Sequence, residues 1–242
     1  MLSEAVVGPQ PLDCRPHTEG TPLDAARPHA DTLALVDEQV RQRHPGSPPT
    51  RERLRAVAEE LYVLRGHDGF SFADIVGSVG TTRANVHHHF GNKRQLMAEL
   101  VEGFTADAEQ RIAQHWMRPG VGFFDRLDSQ VADLRSFYHR FNATPGARNV
   151  WSPIARLRLD LPALGEPAIA ALERVNRAYT TSLRHAVAEA HAAGELAPRH
   201  SAEDVERLLR ITLLACGPIT QDTGSFADVE RLFAGIARIL AA

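Results

Sequence analysis

Residues 83–93, RANVHHHFGNK, put a guanidinium, a carboxamide, three imidazoles and an ammonium into one short stretch, and Lys93 is the only lysine in the chain. Three chemistries are open to such a set: metal ligation, proton transfer, or contact with an anionic polymer. On a helix, at about 100° per residue, consecutive imidazoles at His87, His88 and His89 fan over about 200° and cannot converge on one ion. Zinc on a helix takes ligands at i and i+4, and no Cys, Asp or Glu stands four residues from any of these histidines. The chain has no Gly-rich phosphate loop, nucleophile elbow or Ser/His/Asp context. No catalytic residue, metal or cofactor is therefore expected, and the protein is not expected to be an enzyme.

Contact with nucleic acid suits the set better. Val86 and Phe90 share one side of a helix, while Ala84 and His88 point away and Asn85 and His87 flank that outward face. Arg83, in the first turn, reaches past the helix end. An arginine fork fits guanine, a carboxamide fits adenine or phosphate, and a small alanine permits close approach to a thymine methyl. His87 and His88 are expected to be outward polar contacts, and His89 a core-edge residue. Lys93 and Arg94 fall in the first turn of the next helix, where free N–H groups favour an anion, so a phosphate clamp is expected in preference to a merely solvated charge.

These residues need helices to hold them. Thr50 caps a helix carrying Leu54, Val57, Ala58, Leu61 and Leu64, stopped by Gly66. Ser71 with Asp74 resembles a capping box for a short helix ending at Gly80. Thr82 caps a third helix through Phe90. Asn92 caps a long one toward Trp116, closed by Pro119 and Gly120. Two short helices joined by a tight glycine turn are the pattern of a helix-turn-helix.

Further along, Phe124, Leu127, Val131, Leu134, Tyr138 and Phe141 form one helical stripe, and Ser152–Pro153 opens a short helix through about Leu159. A longer helix runs from Ala168 to Gly194. Two last helices are announced by Ser201 with Asp204 and Ser225 with Asp228, the first expected to end at Gly217–Pro218. No segment alternates with β-branched enrichment, so the fold class is all-α: an N-terminal three-helix helix-turn-helix domain followed by a larger helical domain. Residues 1–49 read as a Pro-rich flexible arm with a possible short helix at 32–43, residues 50–95 as the helix-turn-helix domain and 96–242 as the rest.

With 242 residues and a formal net charge of −3, nothing global advertises nucleic acid, and any basic footprint must be local. Two cysteines, Cys14 and Cys216, are too few for a disulfide framework, and no window approaches a membrane span. A cytoplasmic protein with no membrane partner is expected.

The stretch Gly69–Val101, GFSFADIVGSVGTTRANVHHHFGNKRQLMAELV, resembles the DNA-binding domain of TetR-family transcriptional regulators. Ser71, Gly80, Thr82, His89, Phe90 and Lys93 match the family's helix cap, turn glycine, hydroxyl residue, His-Phe ending and following lysine. The resemblance implies base contacts at Thr82, Arg83, Ala84 and His87 and phosphate contacts at Asn85, His87 and Lys93. His87 departs from the family's usual tyrosine, and Thr81 from its usual aliphatic residue. It covers about 60 residues strongly; the remainder matches only the family's general plan.

That plan implies a homodimer on a palindromic double-stranded DNA operator, released by a small-molecule effector. Two stripes suit the dimer interface: Val205, Leu208, Leu209 and Thr212, then Val229, Leu232, Phe233, Ile236 and Leu240. Candidate ligand-pocket residues are Trp116, Phe137, Phe141, Trp151, Tyr179 and His185, against the plainer reading that they are ordinary core. Arg156 and Arg158, near Trp151, are expected in solvent. The competing function is a helical interaction scaffold whose helix-turn-helix no longer binds DNA.

Overall fold

A computed structural model describes residues 51–241. The Pro-rich arm, its possible helix at 32–43, Thr50 and Cys14 lie outside the described residues. Within them the secondary structure is helical: α1 Arg51–Arg65, α2 Phe72–Val79, α3 Arg83–Phe90, α4 Lys93–Trp116, α5 Phe123–Phe141, α6 Pro153–Leu159, α7 Leu161–Leu164, α8 Glu166–Ala192, α9 Ala202–Thr223 and α10 Ala227–Leu240. The single β feature among these residues is an isolated bridge between Leu196 and Ala241.

The first three helices close on one apolar nucleus. Leu54, Val57, Ala58 and Leu61 of α1 meet Ile75 and Val79 of α2, Val86 and Phe90 of α3, and Leu96 and Leu100 of α4, all buried. Burying one such side chain contributes about 1.5–3 kcal/mol, enough together to hold helices of eight residues that would not persist alone. Caps set their ends. The Ser71 N–H and Oγ both donate to the Asp74 carboxylate, at 2.7 and 2.6 Å, and Arg65 reaches the same carboxylate from α1 at 3.0 Å. Burial raises the Asp74 carboxyl, but these three contacts outweigh it and hold the group below the usual carboxylate range. Gly80 then turns the chain at φ 72°, ψ 41°, a left-handed conformation that glycine adopts without cost, and its N–H returns to Val76 O at 2.9 Å.

The larger part is layered on α4, which packs extensively along α8; α8 is backed in turn by α9, and α9 by α10. Because α4 runs unbroken from Lys93 to Trp116, it is both the fourth helix of the small domain and a wall of the large one. The short α6 touches α1, α4 and α8. Two boundaries differ from the sequence expectation. α9 continues through Gly217 and Pro218 to Thr223, with Pro218 inside it, so the missing N–H of proline is absorbed without ending the helix. Around Pro162, between the short helix expected to end near Leu159 and the longer one expected from Ala168, the chain forms the helical turn α7.

Candidate nucleic-acid interface and regulatory cavity

α3 presents its outer face freely. Thr82 Oγ1 caps it by accepting the Asn85 N–H at 3.2 Å, and the Asn85 side chain donates to Thr81 Oγ1 at 3.0 Å. Thr81 therefore anchors the carboxamide of Asn85, which leaves Asn85 half-buried, while Thr82, Arg83, Ala84, His87 and His88 are exposed. No acidic residue occupies the first turn of α3 or of α4, so both positive helix ends remain uncompensated there. His89 is half-buried at the core edge.

His87 is held in one orientation. Its Nδ1 lies 2.7 Å from Gly91 O, and its ring meets the Phe72 ring edge-on at 4.8 Å. A carbonyl can only accept, so Nδ1 carries the hydrogen and Nε2 is the nitrogen left for another partner. Among the described residues no group of three or more His, Cys, Asp or Glu is placed to hold a metal ion.

Lys93 is more engaged than the sequence reading assumed. Its Nζ donates to Phe70 O at 2.8 Å and sits 5.1 Å from the Phe70 ring centre, tying the start of α4 to the loop before α2. Two of its three N–H donors remain. Its neighbour Arg94 is exposed. Asn92 and Gln95 form a reciprocal cap in this turn, each backbone N–H donating to the other's side-chain oxygen at 3.0 Å.

A cavity of about 190 Å³ lies where α1, α4, α5, α6, α8 and α9 converge. Phe137, Phe141, Trp151 and Tyr179 line it. Trp116 and His185 do not. Trp116 is fully buried and donates its indole N–H to Gln130 at 3.2 Å, making it core. His185 is on the surface beside Glu189, at 3.3 Å, because its position on α8 faces away from α4 and α5. Solvent exposure of Arg156 and Arg158 is likewise corrected: both are half-buried, and Arg158 lines the cavity. The wall residues missed from sequence include charged ones, Glu59, Glu60, Asp133 and Arg140 among them. Nothing in helical periodicity marks a charge as inward-facing.

Two contacts join the cavity wall to α1. Arg140 of α5 reaches Glu60 at 2.6 and 3.2 Å, and the Glu60 side chain is 1% exposed. On α6, Arg156 donates to the Val63 and Leu64 carbonyls at 2.9 and 3.0 Å, the last turn of α1. Asp160 accepts the His67 N–H just beyond, at 2.9 Å. Cys216 is buried on α9; burial pushes its thiol up to about 12, and it donates to Thr212 O at 3.3 Å.

The expected dimer stripes fall largely inside the monomer. Val205, Leu209, Thr212, Val229, Phe233, Ile236 and Leu240 are buried against neighbouring helices of the same chain. Leu208 and Leu232 are exposed, and so are Ile211 and Ile239, which the sequence reading passed over.

The model of bacterial regulatory proteins of the tetR family matches residues 54–100, from α1 to the first turns of α4. Residues 54–100 are a TetR-family N-terminal domain. The fold of the described chain is TetR-like beyond that segment. A TetR-family transcriptional regulator from Agrobacterium tumefaciens superposes with a TM-score of 0.66 at 21% identity, covering 79% of this chain and 97% of that one. The reduced form of NemR from E. coli gives 0.63 at 18%, covering 79% and 97%. GusR from Salmonella enterica gives 0.55 at 20%, covering 79% and 95%. At these identities the likeness is one of fold. No curated protein matches the sequence. Among the described residues no helix is long and apolar enough to cross a membrane.

Proposed function

We propose that this TetR-family chain is a homodimeric, sequence-specific DNA-binding transcriptional regulator, a repressor released from a palindromic operator by a small molecule in the α1–α9 cavity. One observation carries the DNA reading: α3 buries Val86 and Phe90, turns Ala84 and His88 to the opposite side, and leaves Thr82, Arg83 and His87 exposed beside that outer face. In a helix-turn-helix this outer face enters the major groove, with Arg83 toward base edges and the α4 start, Lys93 and Arg94, toward phosphate.

Two such helices one helical turn apart require two copies of the chain. Leu208 and Ile211 of α9 with Leu232 and Ile239 of α10, exposed at 42, 55, 40 and 58%, support a four-helix contact between copies. Ligand response is supported by the cavity's position. Its wall includes Glu59, Glu60 and Val63 of α1, so an occupant touches the DNA-binding domain directly and also presses on α6, which grips the end of α1 through Arg156. An effector acts by favouring one of two relative placements of the heads.

Selection of genomic fragments on the immobilised full-length protein tests the reading, repeated with Arg83→Ala and Arg94→Ala. Recovery of one palindromic site that Arg83→Ala loses and Arg94→Ala weakens is expected. No enrichment over random DNA at low salt returns the scaffold reading to first place.

A further inference from the structure

The charges on the cavity wall do not cancel evenly. Glu59 is paired with Arg55 at 2.8 Å, Glu60 with Arg140 at 2.6 Å, and Asp133 with Arg111 at 2.8 Å and His115 at 3.4 Å. Asp107 is exposed and faces Arg55. Among the described residues Arg158 is the one basic wall residue without such a carboxylate partner. It lines the cavity half-buried, and among the described residues it makes no ion pair or hydrogen bond. The titratable group facing it is the neutral phenol of Tyr179, kept protonated by its burial and also without a hydrogen-bond partner among these residues. Burial lowers the guanidinium, as expected for a cation held away from water without a counter-ion. A half-buried guanidinium with all its donors unused beside an unused phenol is a preorganised receptor for an anion.

We propose that Arg158 and Tyr179 form the head-group subsite for a small organic anion, a carboxylate on an apolar body about the size of one aromatic ring. The size follows from volume: an apolar cavity of about 150 Å³ accommodates benzene, and this one is about 190 Å³. Phe104, Ile112, Leu134, Phe137 and Trp151 supply the apolar wall. The carboxylate accepts two parallel bonds from the Arg158 fork and one from the Tyr179 hydroxyl. The proposal rests on reading the cavity as an effector site.

Its test is a head-group series of constant shape, hydrocinnamate, hydrocinnamyl alcohol and hydrocinnamyl amine, titrated calorimetrically into the full-length protein without DNA. The carboxylate is expected to bind at least about tenfold tighter than the alcohol, the scale of one charge-assisted pair, and the amine least. Arg158→Gln should bring carboxylate and alcohol to equal affinity, while Arg158→Lys keeps the preference in reduced form. Equal binding of the three, tighter binding of the amine, or binding of none up to millimolar concentration overturns the proposal on wild type alone. The readout needs no operator. An anion preference with no operator recovered would leave the subsite standing and remove the regulator reading, and an operator with no anion preference would do the reverse.

Discussion

Arg156→Met tests the grip of α6 on α1. The substitution keeps an apolar stem of similar length and removes the guanidinium, hence the bonds to Val63 O and Leu64 O at 2.9 and 3.0 Å. These carbonyls end α1, where the helix leaves its last acceptors without internal partners, and a cation there also meets the negative end of the helix. A hydrogen bond to a charged group contributes about 1.5–3 kcal/mol. Both bonds come from one planar group, so they are not additive, and burial lowers the Arg156 guanidinium, a desolvation cost that the methionine no longer bears. Asp160 loses the cation facing it while still accepting the His67 N–H. The net loss is expected at about 2–3 kcal/mol of unfolding free energy. Urea denaturation of the full-length protein measures it, with the slope unchanged from wild type. Amide exchange supplies the second readout: protection at Gly66 and His67 should fall further than protection in α8. A loss below about 0.5 kcal/mol, within the range of a neutral surface change, together with unaltered exchange at 66–67, would refute the clamp.

Gly91→Ala should cost about 2–3 kcal/mol in thermal or urea unfolding, because φ is 67° there and a Cβ would stand 1.9 Å from Gln95 Oε1, breaking the Asn92–Gln95 cap; wild-type stability in this variant would refute it. Asp74 and Asp133 are held low by their partners against the raising effect of burial. Their stabilisation is therefore present above the unfolded carboxylate range and lost as pH falls below about 4. Melting temperature from pH 6 to 2.5 should drop less steeply in Asp74→Asn with Asp133→Asn than in wild type, and identical slopes would count against the assignment. Ile211→Glu should shift the chain from dimer to monomer by light scattering with helical content retained; an unchanged mass would move the interface elsewhere. Since Nδ1 of His87 is committed to Gly91 O, Nε2 is the ring nitrogen left to meet DNA, so His87→Ala should weaken operator binding severalfold in a mobility-shift titration; unchanged affinity would end that idea.

Much of the path to these residues is local. Ser71 with Asp74, Asn92 with Gln95, and the glycines at 80 and 91 act within four residues of chain, so helix starts, stops and the turn of the helix-turn-helix follow from neighbours in sequence. The inner face of α3 was legible for the same reason, Val86 and Phe90 being the apolar pair in an otherwise polar octapeptide. α9 and α10 were not so simple. Each carries apolar residues on two faces, and periodicity cannot distinguish Val205–Leu209–Thr212, which is buried in its own chain, from Leu208–Ile211, which stays exposed.

The sequence by itself determined which longer segments are helices, where the helices of the helix-turn-helix begin and end, and which short helix offers arginine, asparagine and histidine outward, since all of these depend on contacts within one turn; the end of α9 beyond Pro218 did not follow from it. Only the tertiary structure decided what surrounds the cavity. Arg158, Glu60 and Tyr179 are up to more than a hundred residues apart in sequence and meet because α1, α6 and α8 pack together. Trp116 and His185 miss the cavity for the same cause. Whether a side chain on an amphipathic helix faces a wall, a void or water depends on the crossing of helices distant in the chain, which no spacing within a single helix encodes.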